Sequence, residues 1–189
     1  WVEKNLAEGR KDVEGRKVPV QTGNLVYALF QHDTSRALDP QAHIHAVIAN
    51  LTKMPDGKWQ ALHADKIWSS NTTIGSIYHA FLRDGLEKLG YQIDAKGKHG
   101  TFEISGVPKA VLEAFSQRRE QILEKAAELG IVSPKGRLAV TANTRDPKLN
   151  VEDRDGLQKD WIDKAAALGF DGKGLVASAV ARAGHSLAD

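Results

Sequence analysis

The chain has 189 residues, 41% of them hydrophobic, and 26 basic against 24 acidic side chains give a formal net charge of +2. That length suits one domain or a piece of one, and a total charge so near balance leaves any nucleic-acid binding to local clusters. No cysteine is present, which excludes disulfides, thiolate zinc sites and a cysteine nucleophile and restricts any metal to imidazole and oxygen ligands.

The opening WVEKNLAEGRKDVEGRK is too charged for a signal peptide, and no apolar run approaches the ~20 residues of a membrane span, so a cytoplasmic protein with no membrane partner is expected. Because it starts at Trp1, the sequence reads as an internal fragment. Dense alternation of acid and base over residues 1–17 predicts a solvated helix running into a hairpin at Glu14-Gly15, with no chemistry there. From Asn24 the run NLVYALFQ suits a strand, and after the polar DTSRALDPQ connection HIHAVIANL supplies a second, antiparallel to the first. A turn at Asp56-Gly57 then returns WQALHA as a further strand.

Between Asn71 and Gly90, Ile74, Ile77, Tyr78, Phe81, Leu82, Leu86 and Leu89 recur at helical spacing, with Asn71 or Thr72 as N-cap and Gly90 as the C-terminal stop. The segment YQIDAKGKHGTFEISG predicts a hairpin around Lys96-Gly97-Lys98, and Pro108 opens a second long helix that ends at Gly130. Beyond it SPKGRLAVTANTRDPKLNVED is loop-like or helical at best, GLQKDWIDKAAALGF is a short helix and KGLVASAVARAGHSLAD a helical tail. The order predicts an α+β fold, an antiparallel sheet covered by helices with a helical C-terminal part: residues 1–130 carry the sheet and 131–189 extend the same domain.

Three of the seven histidines fall in FQHDTSRALDPQAHIHAVIAN. Strand alternation puts His43 and His45 on one side and Ile44 toward the opposite, helix-covered core. Antiparallel pairing of the two strands brings His32 back beside them, completing three neutral imidazoles with positions left open for water or a phosphate oxygen. By spacing alone HxH on a strand is a weak metal signal, and structural histidines remain an alternative. His63, His79, His99 and His185 show no such arrangement.

The segment TGNLVYALFQHDTSRALDPQAHIHAVIANLT resembles the three-histidine motif of the conjugative DNA relaxases of the TraI/TrwC type, in the HUH endonuclease superfamily. The likeness continues through Leu89-Gly90-Tyr91, Lys98-His99-Gly100, TFEISGVP, PKAVLEAFSQRR and the run from Arg145 through Trp161 to Asp171, in the same order, over approximately residues 20 to 171. It implies cleavage of one DNA strand at an origin of transfer by a tyrosine hydroxyl, leaving a 5′-phosphotyrosyl link and a free 3′-hydroxyl. It also implies a divalent ion (Mg, Mn or Zn) on His32, His43 and His45 that binds non-bridging phosphate oxygens. Neutral imidazoles leave the ion's full charge facing an anionic substrate.

Relaxase tyrosines lie near the extreme N-terminus, as does the acid that orients one metal-binding imidazole. Both segments are expected upstream of Trp1, so the N-terminal portion of the domain is read as missing. Tyr27, Tyr78 and Tyr91 are read as packing residues, and Asp33 and Asp39 as turn residues, with no catalytic residue in this chain. The chain alone is expected to bind metal but not to cleave. The resemblance further implies single-stranded DNA as ligand, with relaxosome and type IV secretion coupling proteins as partners and a helicase domain downstream in many relatives.

Candidate phosphate contacts are Arg36 in the HDTSR loop, Lys96 and Lys98 in the KGKHG turn, and Arg145 as a weaker case. Arg118 and Arg119 are expected to pair with Glu113, Glu120 and Glu124 on their helix. Two readings of other classes compete. A three-histidine zinc hydrolase or cupin-like barrel would need many more short strands. A DNA-binding module of the same fold that has lost its nucleophile would lack paired tyrosines near the start of its parent protein.

Overall fold

The computed structural model describes residues 1–143 and 153–186. Eight helices and eight strands are distributed over these residues, and the strands form four separate two-stranded ladders. The α+β class follows, with small antiparallel ribbons in place of one broad sheet. The described residues divide into two compact units, one of residues 1–31 and 44–103, the other of 32–43, 104–143 and 153–186.

In the first unit the expected solvated helix is only α1, Val2–Leu6. The hairpin takes over at once: β1 (Glu8–Val13) pairs antiparallel with β2 (Arg16–Gln21), from Glu8 opposite Gln21 to Val13 opposite Arg16. Its two-residue turn, Glu14-Gly15, has positive φ at both positions (53° and 77°), the twist that joins antiparallel strands. The alternating charges that suggested a helix are the side chains of a solvated ribbon.

A small core forms from Leu6, Ala7, Met54 and Leu62, all buried. It lies beside the ladder of β5 (Thr52–Lys53) and β6 (Trp59–Gln60), which is far shorter than the strand expected from WQALHA. Thr52 is wholly buried, and its hydroxyl lies 2.6 Å from Thr22 Oγ1, 3.1 Å from the Asn24 carbonyl and 3.2 Å from Asn24 Oδ1. Asn24 Oδ1 in turn accepts from the Lys53 backbone N–H at 2.8 Å. Thr52→Val keeps the shape and strands those partners, so chemical denaturation is expected to show a loss of about 1–3 kcal/mol, the cost of unsatisfied buried polar groups. An unchanged midpoint would remove this knot from the account of stability.

Also in this unit, the short α2 (Asp65–Ser69) precedes α3 (Asn71–Lys88), which starts after Ser70 rather than at the expected caps Asn71 or Thr72. Gly90 closes the helix with φ 85°. Much of the apolar stripe that identified α3 in the sequence faces outward, with Phe81 72% exposed and Tyr78, Leu82 and Leu89 exposed with it. β7 (Ile93–Ala95) and β8 (Phe102–Ile104) form the expected hairpin over the Lys96–Lys98 turn.

The second unit is largely helical. The long helix expected from Pro108 is broken into α4 (Lys109–Ala114) and α5 (Gln117–Glu128). At the break Phe115 and Ser116 leave helical geometry, and the Ser116 hydroxyl donates to the Leu112 carbonyl at 2.6 Å, a local bond that competes with helix continuation. α6 (Pro134–Asn143), α7 (Arg154–Ala167) and α8 (Gly172–Ser186) follow. Asp153 caps α7 by accepting from the Gly156 N–H at 2.8 Å. Val111, Ala126, Val140 and Ala179 are buried, small residues that let helices approach closely. Among the described residues no helix is long and apolar enough to cross a membrane.

Candidate metal and nucleic-acid site

The histidines are carried by β3 (Tyr27–Thr34) and β4 (Pro40–Ile48), which pair with each other. At the tip the Ser35 N–H donates to the Asp39 carbonyl at 2.9 Å, and at the base the Ala49 N–H donates to the Val26 carbonyl at 2.8 Å. Bonds that match early with late positions make the pair antiparallel, as the sequence predicts.

This pairing brings His32 and His43 together. Their rings stack with centroids 5.3 Å apart and planes 21° from parallel. His43 Nδ1 lies 2.8 Å from the Gln41 carbonyl, an acceptor only, which favours the tautomer with its proton on Nδ1. His45 occupies the next same-side position of β4 and is exposed. Among the described residues, no group of three or more His, Asp or Glu side chains is arranged to hold a metal ion. Stacked imidazoles must turn their nitrogens toward a common point before coordinating. The donor set itself suits a divalent ion of intermediate softness: neutral nitrogens, with one tautomer favoured by a backbone carbonyl.

Ile44 does not point into a covered core; it is 56% exposed. Tyr27 and Tyr78 are exposed as well, which corrects their reading as packing residues, while Tyr91 is half-buried. Alternation along a strand reports which residues share a side, and says nothing of whether that side is covered.

The connection between β3 and β4 is tied down by residues far away in sequence. Leu38 adopts φ 61°, a conformation costly for a branched side chain. Its carbonyl accepts from Trp161 Nε1 at 2.9 Å, and its N–H donates to the Ser35 carbonyl at 3.2 Å. Asp39, read from the sequence as a turn residue, is 3% exposed and accepts from Gln117 Nε2 at 2.8 Å. Asp33 pairs with Arg154 at 3.0 Å. Nothing in the local sequence announces these ties, although Trp161 stands within the run that carries the family resemblance.

Arg36 sits exposed in this connection. Lys96 is exposed too, but Glu103 lies 3.5 Å from its ammonium and offsets part of its charge. Lys98 is exposed in a turn where Gly97, His99 and Gly100 all have positive φ and the His99 carbonyl lies 3.2 Å from His79 Nδ1. Arg145 lies outside the described residues. Glu113, an expected partner of Arg118 and Arg119, pairs with Lys109 at 3.0 Å, while Arg118 donates to the Thr141 carbonyl at 3.4 Å.

Comparison with known proteins extends the motif to nearly the whole chain. The TrwC relaxase family model matches residues 1–168. The multifunctional conjugation protein TraI of Escherichia coli is 41% identical over 175 residues, 88% of this chain and 10% of TraI. A structure of the conjugative relaxase TrwC in complex with OriT DNA, metal-free, superposes with a TM-score of 0.82 at 40% identity, covering 89% of this chain and 60% of that one. The metal-bound structure of the same complex gives 0.81 at 40% identity, covering 89% and 59%. The chain thus spans about a tenth of the length of the curated relatives it matches and about three-fifths of the solved chains. With the three-histidine hairpin, the family model and the fold in agreement, this chain belongs to the TrwC relaxase family.

Proposed function

We propose that the chain is part of a strand- and site-specific nicking and joining enzyme for single-stranded DNA at an origin of transfer. In this reading His32, His43 and His45 hold a divalent ion, and the attacking tyrosine comes from outside these 189 residues. The observation that carries it is the contact of His32 with His43 across paired strands, in a chain 40% identical to a relaxase solved on OriT DNA in both metal-free and metal-bound forms.

When bound, the ion polarises the scissile phosphate and offsets the charge that develops as the tyrosine oxygen attacks. The chain's own residues prepare for this. The Gln41 carbonyl orients the His43 ring through Nδ1, and the hairpin sets His45 two positions on, at the same-side interval. Arg36 and Lys98 offer exposed cationic groups to neighbouring phosphates. Tyr27 lies in β3, Tyr78 in α3, and Tyr91 follows α3, and in this reading none of them is the nucleophile. Relaxosome and coupling proteins would be partners of the whole protein.

The test has two arms. Incubated with manganese or magnesium and a single-stranded origin oligonucleotide, the 189-residue chain is expected to yield no covalent protein–DNA adduct, whereas the parent protein nicks. In the parent, His43→Ala is expected to reduce nicking at least about 100-fold while oligonucleotide binding stays within a few-fold, because a lost metal ligand removes stabilisation of the transition state. An adduct formed by the 189-residue chain would place the nucleophile within it, and full nicking by the His43→Ala parent would refute the metal role.

A further inference from the structure

In the second unit an open cavity of about 540 Å³ lies between the β3–β4 connection, the Phe115-Ser116 break and helices α5 and α6. It falls within the range of ~300–1,000 Å³ that accommodates small ligands. Arg118 and Arg119 of α5 and Arg137 of α6 line it, with Asp39 as its single carboxylate. Three guanidiniums against one carboxylate, which accepts from Gln117, give the described lining a cationic excess. Two of the guanidiniums are held in place, Arg118 by the Thr141 carbonyl at 3.4 Å and Arg137 by the Val132 carbonyl at 3.0 Å. The glutamates at 120, 124 and 128 of α5 are absent from the lining.

The remaining wall is apolar. Phe115, at the break between α4 and α5, and Ile122 face the cavity, and the Lys164 ammonium sits 4.8 Å from the centre of the Phe115 ring. An aromatic and an aliphatic surface beside converging guanidiniums match a ligand that is planar and apolar at one end and anionic at the other. A purely acidic peptide would leave the apolar wall without a partner.

We propose that this cavity binds one nucleotide of single-stranded DNA, with its phosphate on Arg118, Arg119 and Arg137 and its base against Phe115 and Ile122. The cavity borders the histidine pair through Gln41, whose carbonyl lies against His43, but contains neither ring, and the inference rests on the DNA-binding reading given above. Helix breaking at Phe115 has a use here, since a continuous helix would carry that ring round on a regular turn. Base–aromatic stacking tolerates any base, so the subsite would hold the strand without reading its sequence.

The experiment is fluorescence-anisotropy titration of the 189-residue chain with a labelled 12-mer of dT at several salt concentrations. The wild type is expected to bind, and the triple variant Arg118→Gln, Arg119→Gln, Arg137→Gln to bind about tenfold or more weakly, with a log–log salt slope reduced by about 0.7, the contribution of the one phosphate the cavity takes. Arg119→Gln alone, an exposed position, guards against misfolding of the triple variant and is expected to weaken binding in the same direction by a smaller factor. In parallel, an oligonucleotide carrying 5-iodouracil is irradiated on the wild type and the adduct mapped, with a crosslink to Phe115 or its neighbours expected. Wild-type binding that all variants retain, with crosslinks elsewhere, overturns this subsite and leaves the relaxase reading standing. Displacement of the oligonucleotide by an equally charged poly-aspartate at equal concentration overturns the nucleotide assignment in favour of an acidic protein partner. Absence of any wild-type binding overturns the subsite, while the nicking assay on the parent decides the wider reading separately.

Discussion

Alanine at His43 is expected to abolish stoichiometric binding of a divalent ion by this chain. His43 makes a ring contact with His32, and its Nδ1 bonds the Gln41 carbonyl. Removing a partner of a metal-bound histidine typically weakens affinity ~10–100-fold, and removing the ligand itself exceeds that. The proposed site has three ligands and no spare to replace it. Isothermal titration with manganese or zinc measures the effect, and His45→Ala is expected to match it. Retention of one tightly bound ion per chain in both variants would sink the three-histidine site, whatever the nicking activity of the parent. The His63 cluster is an internal control: its ring lies 3.6 Å from Glu8 and 3.2 Å from Asp65, and Lys66 occupies Glu8 at 3.0 Å, so these carboxylates already have partners. His63→Ala is expected to leave the bound ion in place.

The second large effect concerns Trp161. Its indole N–H holds the carbonyl of Leu38, the residue with φ 61° in the β3–β4 connection. Fully buried tryptophans cost ~3–5 kcal/mol when cut back to alanine; Trp161 is only half-buried, so Trp161→Ala should cost about 2–3 kcal/mol. Trp161→Phe keeps most of the ring and loses the hydrogen bond, about 0.5–1.5 kcal/mol. Urea unfolding followed by circular dichroism separates the two. The larger change should also raise hydrogen exchange at residues 35–39, because without the indole nothing offsets the strain at Leu38 from that side. Equal midpoints for Trp161→Ala and wild type would show that the tie contributes nothing.

Much of the hairpin that carries the histidines was legible in the sequence. Its two strands are β-rich runs separated by a polar connection, and antiparallel pairing alone brings His32 back to His43. Local rules also found the Glu14-Gly15 turn and the Gly90 stop, where backbone conformation is decided by one or two residues. They failed where a longer-range or weaker balance decides. The charged N-terminus forms a ribbon because a two-residue turn lets its strands pair, and the helix after Pro108 breaks at Ser116, whose hydroxyl offers the chain a competing bond. Exposure was least legible: Ile44, Tyr27 and Phe81 have the composition of core residues and stand in the open, since periodicity identifies a face without identifying what covers it. The burial of Asp39 and the Trp161–Leu38 bond depend on helices more than seventy residues downstream, beyond the reach of any local pattern.

Those same ties have a temporal consequence. Asp39 reaches Gln117 across 78 positions, Asp33 reaches Arg154 across 121, and Leu38 reaches Trp161 across 123. Contacts that close such long loops form slowly, whereas the Glu14-Gly15 hairpin closes between neighbours. In pulse-labelled refolding, amides of β1 and β2 are therefore expected to gain protection before those at the tip of the β3–β4 hairpin. A newly made chain would own its ribbon early and its histidine loop only once α5 and α7 have emerged and folded.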